Sequence, residues 1–468
     1  MSSRFGCIRV QAHASVTTRF EELLAAAADG ARQLDGEGVL SLALPLPQAD
    51  PLALLPQLEG HERFRFLWDS APGLCLAACG RTNSLELSGP RRFELAQRFS
   101  TVSLSRLAAP QSCPPLARPR VLLAFAFFDS PLQEGEGVPG VQAVLPRWQL
   151  SRQGRHCWLR LQRSLGGEVS ARSLAEELWE QAERLQRLQP SAEPQPAAAI
   201  RHRSPWQQGY RSAVERGLEL VETGRLRKLV LAVRQDLLLD RPLDPLQLLR
   251  ELRRRQPGSC RFLWQQGDAP ALLGASPERL LTVRQRQLRS DALAGTAPIG
   301  AAAAQLPHSE KDRREHELVV DAISAALSAA GLTPRRPRHP RLARHGQLVH
   351  LHTPITAALQ DQQPLALAGA LHPTPAVAGL PRREAMAALR SLEPFERGHY
   401  AAPIGWIDTE GDLELRVAIR SGRLQGQRLE LTAGAGLVQG SVPEKELQEV
   451  DLKLGVLQQQ LSLPAWPG

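Results

Sequence analysis

The six cysteines of this 468-residue chain (Cys7, Cys75, Cys79, Cys113, Cys157 and Cys260) show no C-x-x-C or metal-ligand spacing. Zinc-site and dithiol chemistry are thereby excluded as organising features, and the thiols read as reduced and buried. No run of about 18 apolar residues exists to span a bilayer. The opening stretch, MSSRFGCIRVQAHASV, lacks the apolar core of a signal peptide, so a cytoplasmic protein without membrane association is expected. Net charge is +9, yet the basic residues are scattered, and arginine runs such as 253–255 have acids nearby. That dispersion argues against a nucleic-acid surface. Ser276 lies outside any G-x-S-x-G pattern, which excludes a nucleophile elbow.

What is present is a globular composition, 43% apolar and 22% charged. Hydrophobic periodicity predicts a helix over 18–33, a strand over 39–46, a hairpin over 64–80, strands over 121–128 and 141–150, and a helix over 173–188. Residues 189–205, rich in proline and alanine, read as a linker. Beyond it come a helix over 206–223 closed by Gly224, a strand over 228–233, a helix over 245–255 and a second hairpin over 261–283. Arg65-Phe-Leu-Trp68 recurs as Arg261-Phe-Leu-Trp264, each followed by a polar turn and an apolar strand ending in glycine. The echo points to an α/β (α+β) fold with two related sheets packed together.

The stretch 431–453, LTAGAGLVQGSVPEKELQEVDLK, reads as strand, glycine turn and helix, with Ser441 and Glu444 spaced as a capping box. Glu446, Glu449 and Lys453 then share one helix face, beside Gly434 and Gly436 whose bare amides suit an anion. The glycines do not fit a dinucleotide fingerprint, because the third comes one residue late and no acid follows at the required distance. Over 309–331, Ser309 and Asp312 open a long helix and Gly331 ends it; Glu315 falls in line with its apolar face, where a carboxylate needs a cation, a metal or a proton. Lys228 opens an apolar strand, where desolvation suits a lysine to act as a general base. Glu278 lies where a strand meets a proline turn, placed either to pair with Arg279 at the surface or to donate a proton inside a pocket. His350 and His352 share a strand, and one of them is expected to face inward; Arg420 is expected to close a strand over 415–420, suited to bidentate carboxylate binding.

In order along the chain, KLVLA at Lys228, GASPERL around Glu278, LAGTA at Leu293, EKDRREH at Glu310, VHLHTP at Val349, LHPTPAVAG at Leu371, ERGHYAAPIGW at Glu396, VAIRS at Val417 and the closing AGAGLVQGSVPEKELQEVDLK resemble the chorismate-utilising enzymes. Nine blocks over about 250 residues carry the resemblance, which is most similar to the isochorismate synthases of the long, quinone-pathway type (menaquinone or phylloquinone biosynthesis); the first 190 residues match only loosely. The resemblance implies one large fold with pseudo-duplicated halves, two mainly antiparallel sheets with helices outside, residues 1–190 completing it and 200–462 forming the catalytic region. It implies that Lys228 activates water for attack at C2 of chorismate and that Glu278 protonates the departing C4 hydroxyl. Glu315 and Glu449 would bind Mg²⁺ directly, with Asp312 and Glu446 in the outer shell. Arg420 and Tyr400 would hold the enolpyruvyl carboxylate, and Thr296, His350, Ala376, Lys453 and the Gly434 and Gly436 amides would complete the pocket. No obligatory protein partner is implied.

Four positions separate the neighbouring reactions. Lys228 is a water-activating lysine that the ammonia-using anthranilate and aminodeoxychorismate synthases do not need, and Ala294 replaces the nucleophilic lysine of the latter. Ala376 and Ala297 stand where salicylate synthases tend to carry threonine and arginine. Relatives commonly have Y-A-G-P where this chain has Tyr400-Ala-Ala-Pro, so Ala402 is expected to be strained if its position needs a positive φ.

Overall fold

The computed structural model describes residues 16–34, 38–58, 64–70, 73–132, 137–166, 169–188, 198–461 and 463. Cys7, the opening stretch and linker residues 189–197 lie outside the described residues. Ten strands form the body of the larger sheet in an order that reads the same from either end; short strands flank it, Leu107–Ala108 beside Val39–Leu46, and Gly379–Leu380 and Ile200–Arg203 beside Lys228–Leu239, the last lying within the segment expected to be a linker. In the first half, Val39–Leu46 pairs with His156–Ser164, then come Val141–Gln153, Cys75–Leu87 and Phe64–Asp69. In the second, Lys228–Leu239 pairs with Arg428–Leu437, followed by Ser421–Gln425, Ala271–Ser276 and Cys260–Gln266.

The halves meet at the repeated tetrapeptide. Leu67 faces Leu263, Phe66 faces Trp264 and Trp68 faces Phe262, so equivalent residues pair reciprocally about a local two-fold axis. The echo in the sequence is therefore a structural joint. An ion pair between Arg261 and Asp69, 2.8 Å apart, closes one end of it, and Arg253 reaches the same carboxylate at 2.7 Å.

A second antiparallel sheet runs through Arg120–Phe125, Pro403–Asp408, Leu413–Val417, Arg279–Arg284, Gln287–Pro298, Leu348–Ala358 and Arg341–His345. It is hydrogen-bonded to the first where Leu122–Phe125 meets Val141–Val144. Alternate residues of both sheets enclose Phe64, Phe66, Trp68, Phe262, Trp264 and Trp406, and the Phe64 and Trp264 rings meet edge-on at 5.1 Å. Helices cover the outer faces. In the second half, Glu310–Ala329 lies on Gln287–Pro298, and Pro443–Gln460 lies on Arg428–Leu437.

Several local expectations are corrected. The strand expected over 228–233 extends from Lys228 to Leu239, because its partner Arg428–Leu437 continues alongside it. Gly434 and Gly436 belong to that partner strand; the turn before the last helix is made by Gly440, at φ +85°. Ser441 does not cap the helix: Val442 is the N-cap, the Ser441 hydroxyl accepts from the Val438 amide, and Glu444 pairs with Arg211 outside. Ser441 lies one residue too early for the box. Arg420 does not close a strand, since the strand ends at Val417; at φ +52° Arg420 forms the corner to Ser421–Gln425, and its carbonyl accepts from the Ala275 amide.

The strain expected at Ala402 falls instead on Ala401, at φ +62°, while Ala402 keeps negative φ. A β-carbon in the left-handed region costs about 1–2 kcal/mol. Ala401→Gly is expected to stabilise the protein by about 0.5–1 kcal/mol after the extra chain entropy of glycine is counted. Ala402→Gly is expected to destabilise it by about as much. Chemical denaturation of the two variants measures the contrast, and a stabilising Ala402→Gly would contradict the assignment.

Candidate active site

Twelve of the fourteen residues singled out from the sequence line one cavity between the sheets and the two helices of the second half. Sheet strands contribute Thr296, His350, Gly434 and Gly436; the helices contribute Asp312, Glu315, Glu449 and Lys453; connecting segments contribute Glu278, Ala376, Tyr400 and Arg420. The remaining two stand immediately behind the wall, each bonded to a residue that lines it. Lys228 Nζ lies 2.9 Å from Glu315 Oε1, and Glu446 Oε1 accepts from Lys311 Nζ at 2.7 Å.

The floor of the cavity follows from strand pairing. Val230 and Ala232 direct their N–H groups to Ala378 O and Glu393 Oε1, on the edge away from Arg428–Leu437. In an antiparallel ladder, Gly436 and Gly434 opposite them must then turn their own amides away from the shared edge. Pairing of this strand with Ser421–Gln425 has already ended at Leu431, so the amides open on the cavity. A larger residue at Gly434 would meet fixed backbone, and one at Gly436 would displace the end of the Glu315 side chain. A β-carbon on Gly434 would come within 2.6 Å of Leu231 O, and one on Gly436 within 2.6 Å of Glu315 Oε1.

Glu278 is buried between Ala271–Ser276 and Arg279–Arg284, where the chain crosses from one sheet to the other. Its expected surface alternative is absent: Arg279 pairs with Asp291 at 3.1 Å. Burial pushes the Glu278 carboxyl up to about 8, against the pull of Lys228 and with a further push from Asp291. It is thus an acid at neutral pH.

Arg420 and His350 form a fixed pair. Arg420 can only donate, so His350 Nε2, 3.4 Å from its guanidinium, accepts; Nδ1 then carries the proton and donates to Gly295 O at 3.0 Å. Burial and then Arg420 hold the imidazole well below its usual range, so it stays neutral. Thr296 Oγ1 lies 3.2 Å from the same Nδ1. His352 points the same way as His350, because residues two apart share a strand face, and it pairs with Asp291 at 3.1 Å. The expectation that one of the two faces inward holds for buried His350, with part-buried His352 on the same strand face.

The acids Asp312, Glu315, Glu446 and Glu449 gather at one end of the cavity. Burial, then Glu315 and Glu449, raise the Asp312 carboxyl; burial and Glu449 raise Glu446 against the pull of Lys311. Lys453 Nζ bridges Glu449 Oε1 and Gly434 O, each at 2.7 Å. Among the described residues no three His, Cys, Asp or Glu side chains converge as a ready-made cage. A Mg²⁺ ion does not need one, since it takes one or two carboxylates and completes its shell with water and substrate oxygens. The donor chemistry of Glu315 and Glu449 therefore fits it.

Sequence reasoning missed Lys311 and Arg397. Lys311 precedes Glu315 by one helical turn, so periodicity alone places it on the same face. Arg397 gave no such signal: it lines the cavity, is paired with buried Glu393, and donates to Val230 O and Val377 O at 2.7 Å each.

Comparison with known proteins agrees with this architecture. The family model described as chorismate binding enzyme matches residues 22–462. The salicylate biosynthesis isochorismate synthase of Pseudomonas aeruginosa is 41% identical over 284 residues, 58% of each chain. Isochorismate synthase DhbC of Bacillus subtilis is 39% identical over 264 residues, 53% of this chain and 66% of its own. These matches span less than two thirds of the relatives' length. The structure of MenF, the menaquinone-specific isochorismate synthase of Escherichia coli, superposes with a TM-score of 0.76 at 28% identity, covering 94% of this chain and 99% of that one. With the family model covering nearly the whole described chain, the protein belongs to the chorismate-binding enzymes.

Proposed function

We propose that this protein is an isochorismate synthase that converts chorismate to isochorismate with Mg²⁺. The observation that carries the reading is a buried acid protonated at neutral pH, Glu278, on the cavity wall, together with a buried lysine, Lys228, immediately behind that wall and paired with Glu315. Water adds at C2 and the C4 hydroxyl leaves with a proton from Glu278, so the product has the composition of the substrate. Lys228, once it has given up the proton it holds beside Glu315, acts as the base toward that water. Arg420, oriented by His350, takes the enolpyruvyl carboxylate together with Tyr400. The Gly434 and Gly436 amides and Lys453 face the other anionic groups, and Thr296 and Ala376 shape the wall. Glu315 and Glu449 would hold Mg²⁺, with Asp312 and Glu446 behind them through water. Bound there, the ion supplies positive charge to the ring carboxylate.

Similarity to isochorismate synthases of 35–41% identity supports this reading. The near full-length correspondence with MenF favours a place in quinone biosynthesis. Incubation of the purified protein with chorismate and Mg²⁺, with products separated by chromatography, tests it. Isochorismate alone is expected. Salicylate with pyruvate, or turnover only when ammonia is supplied, would overturn the assignment, as would absence of turnover without an amidotransferase partner.

A further inference from the structure

We propose that Lys311 is an internal counter-ion of the acid cluster, competing with a divalent cation for the same carboxylates and thereby setting the metal concentration at which the site fills. The inference rests on the Mg²⁺ reading above. Lys311 lies in the first turn of the helix that carries Glu315, and Glu446 in the first turn of the helix that carries Glu449. The 2.7 Å bond from Lys311 Nζ to Glu446 Oε1 therefore ties together the two helices that present the proposed ligands. Burial opposes the charge on Lys311, yet Glu446, Glu315 and Glu449 together raise its affinity for a proton, which locates the ammonium within the field of all three acids.

Three lysines neutralise this cluster, and they differ in what else holds them. Lys228 is 1% exposed, and Lys453 has a second bond to Gly434 O. Lys311 is 35% exposed and sits on a flexible four-carbon stem that reaches solvent. It is the one of the three free to withdraw when a stronger cation arrives, and its withdrawal releases the buried Glu446 carboxylate. Until then its charge repels the incoming ion. Its role is to hold the two helices and their carboxylates in register and to moderate metal affinity; it is a positioning residue, with no contact to reacting atoms.

Calorimetric titration of the purified full chain with Mg²⁺ alone, without chorismate, tests the proposal on the wild type and on Lys311→Met, Lys311→Gln and Lys311→Arg. Removing one like charge several ångströms from a partly screened site is expected to tighten Mg²⁺ binding about tenfold in the two neutral variants. Lys311→Arg, which keeps the charge and presents its donors as a planar fork, is expected to bind Mg²⁺ no more tightly than the wild type. Melting temperature gives a second readout: the neutral variants fall below wild type in chelator and regain the difference as Mg²⁺ is added. Wild-type binding with no tightening in either neutral variant overturns this inference and leaves the metal reading intact. No Mg²⁺ binding by the wild type overturns both.

Discussion

Glu278→Gln is expected to slow isochorismate formation by orders of magnitude while making the protein more stable. The carboxyl titrates near 8 in the fold because burial disfavours its charge, against an ordinary value of 4.5. The folded state therefore holds this proton more tightly than the unfolded chain does. Between pH 4.5 and 8 each rise in pH favours the unfolded state, in which the group ionises freely, and above 8 the loss is complete. At pH 7 the cost is about 3 kcal/mol, from about 1.4 kcal/mol per unit of displacement. Glutamine keeps the shape and the neutrality and does not titrate, so the variant should melt higher than wild type at pH 7 and the two should converge near pH 4.5. Turnover should fall about 10²- to 10⁴-fold, the range for loss of a general acid. In the wild type, activity should decline as pH rises through about 8, where Glu278 loses its proton. Thermal melts and product assays across pH 5–9 check both halves. A variant that is active, or one no more stable than wild type at pH 7, would remove Glu278 from the acid's role.

Glu278 follows Ser276-Pro277 at the end of an apolar strand, and nothing local distinguishes a surface turn from the crossing between two sheets. The crossing is decided by the Asp69–Arg261 joint and the aromatic layer, contacts between halves nearly 200 residues apart. Local chemistry was more legible. Ser309 accepts from the Asp312 amide as its spacing predicts, and Pro245–Arg255 runs as expected because Asp244 caps it and leucines recur on its buried face. The repeated Arg-Phe-Leu-Trp was legible as an echo, though its reciprocal pairing across a two-fold axis was not. Conformations set by neighbours were misread. Ala401 and Arg420 adopt positive φ because the Ala418 and Ala275 ladders fix their peptide groups, a constraint invisible in either residue's type. Ion pairing across helices was not legible for a related reason: helical spacing put Glu446, Glu449 and Lys453 on one face, which allows the Lys453–Glu449 pair, but the bond from Lys311 to Glu446 depends on the facing helix.

Lys228→Met is expected to separate stability from catalysis. The methionine side chain fills nearly the same length, yet it leaves Glu315 without the ammonium that lies 2.9 Å from it. Removing one partner of a buried ion pair costs about 3–5 kcal/mol; the 13% exposure of the Glu315 side chain favours the lower end, about 3 kcal/mol. If Glu315 is a metal ligand, Mg²⁺ replaces the lost positive charge, and saturating Mg²⁺ should return most of the melting temperature. Turnover should not return, because the ion neutralises Glu315 but provides no base toward the attacking water. The rate should stay about 10²- to 10⁴-fold below wild type at any Mg²⁺ concentration. Thermal melts with chelator and with Mg²⁺, beside chromatographic product assays, give the two readouts on one sample. Each failure points to a different residue. Full activity in Lys228→Met discards the lysine as the base, whereas a deficit in melting temperature that Mg²⁺ cannot repair places the cation elsewhere than on Glu315.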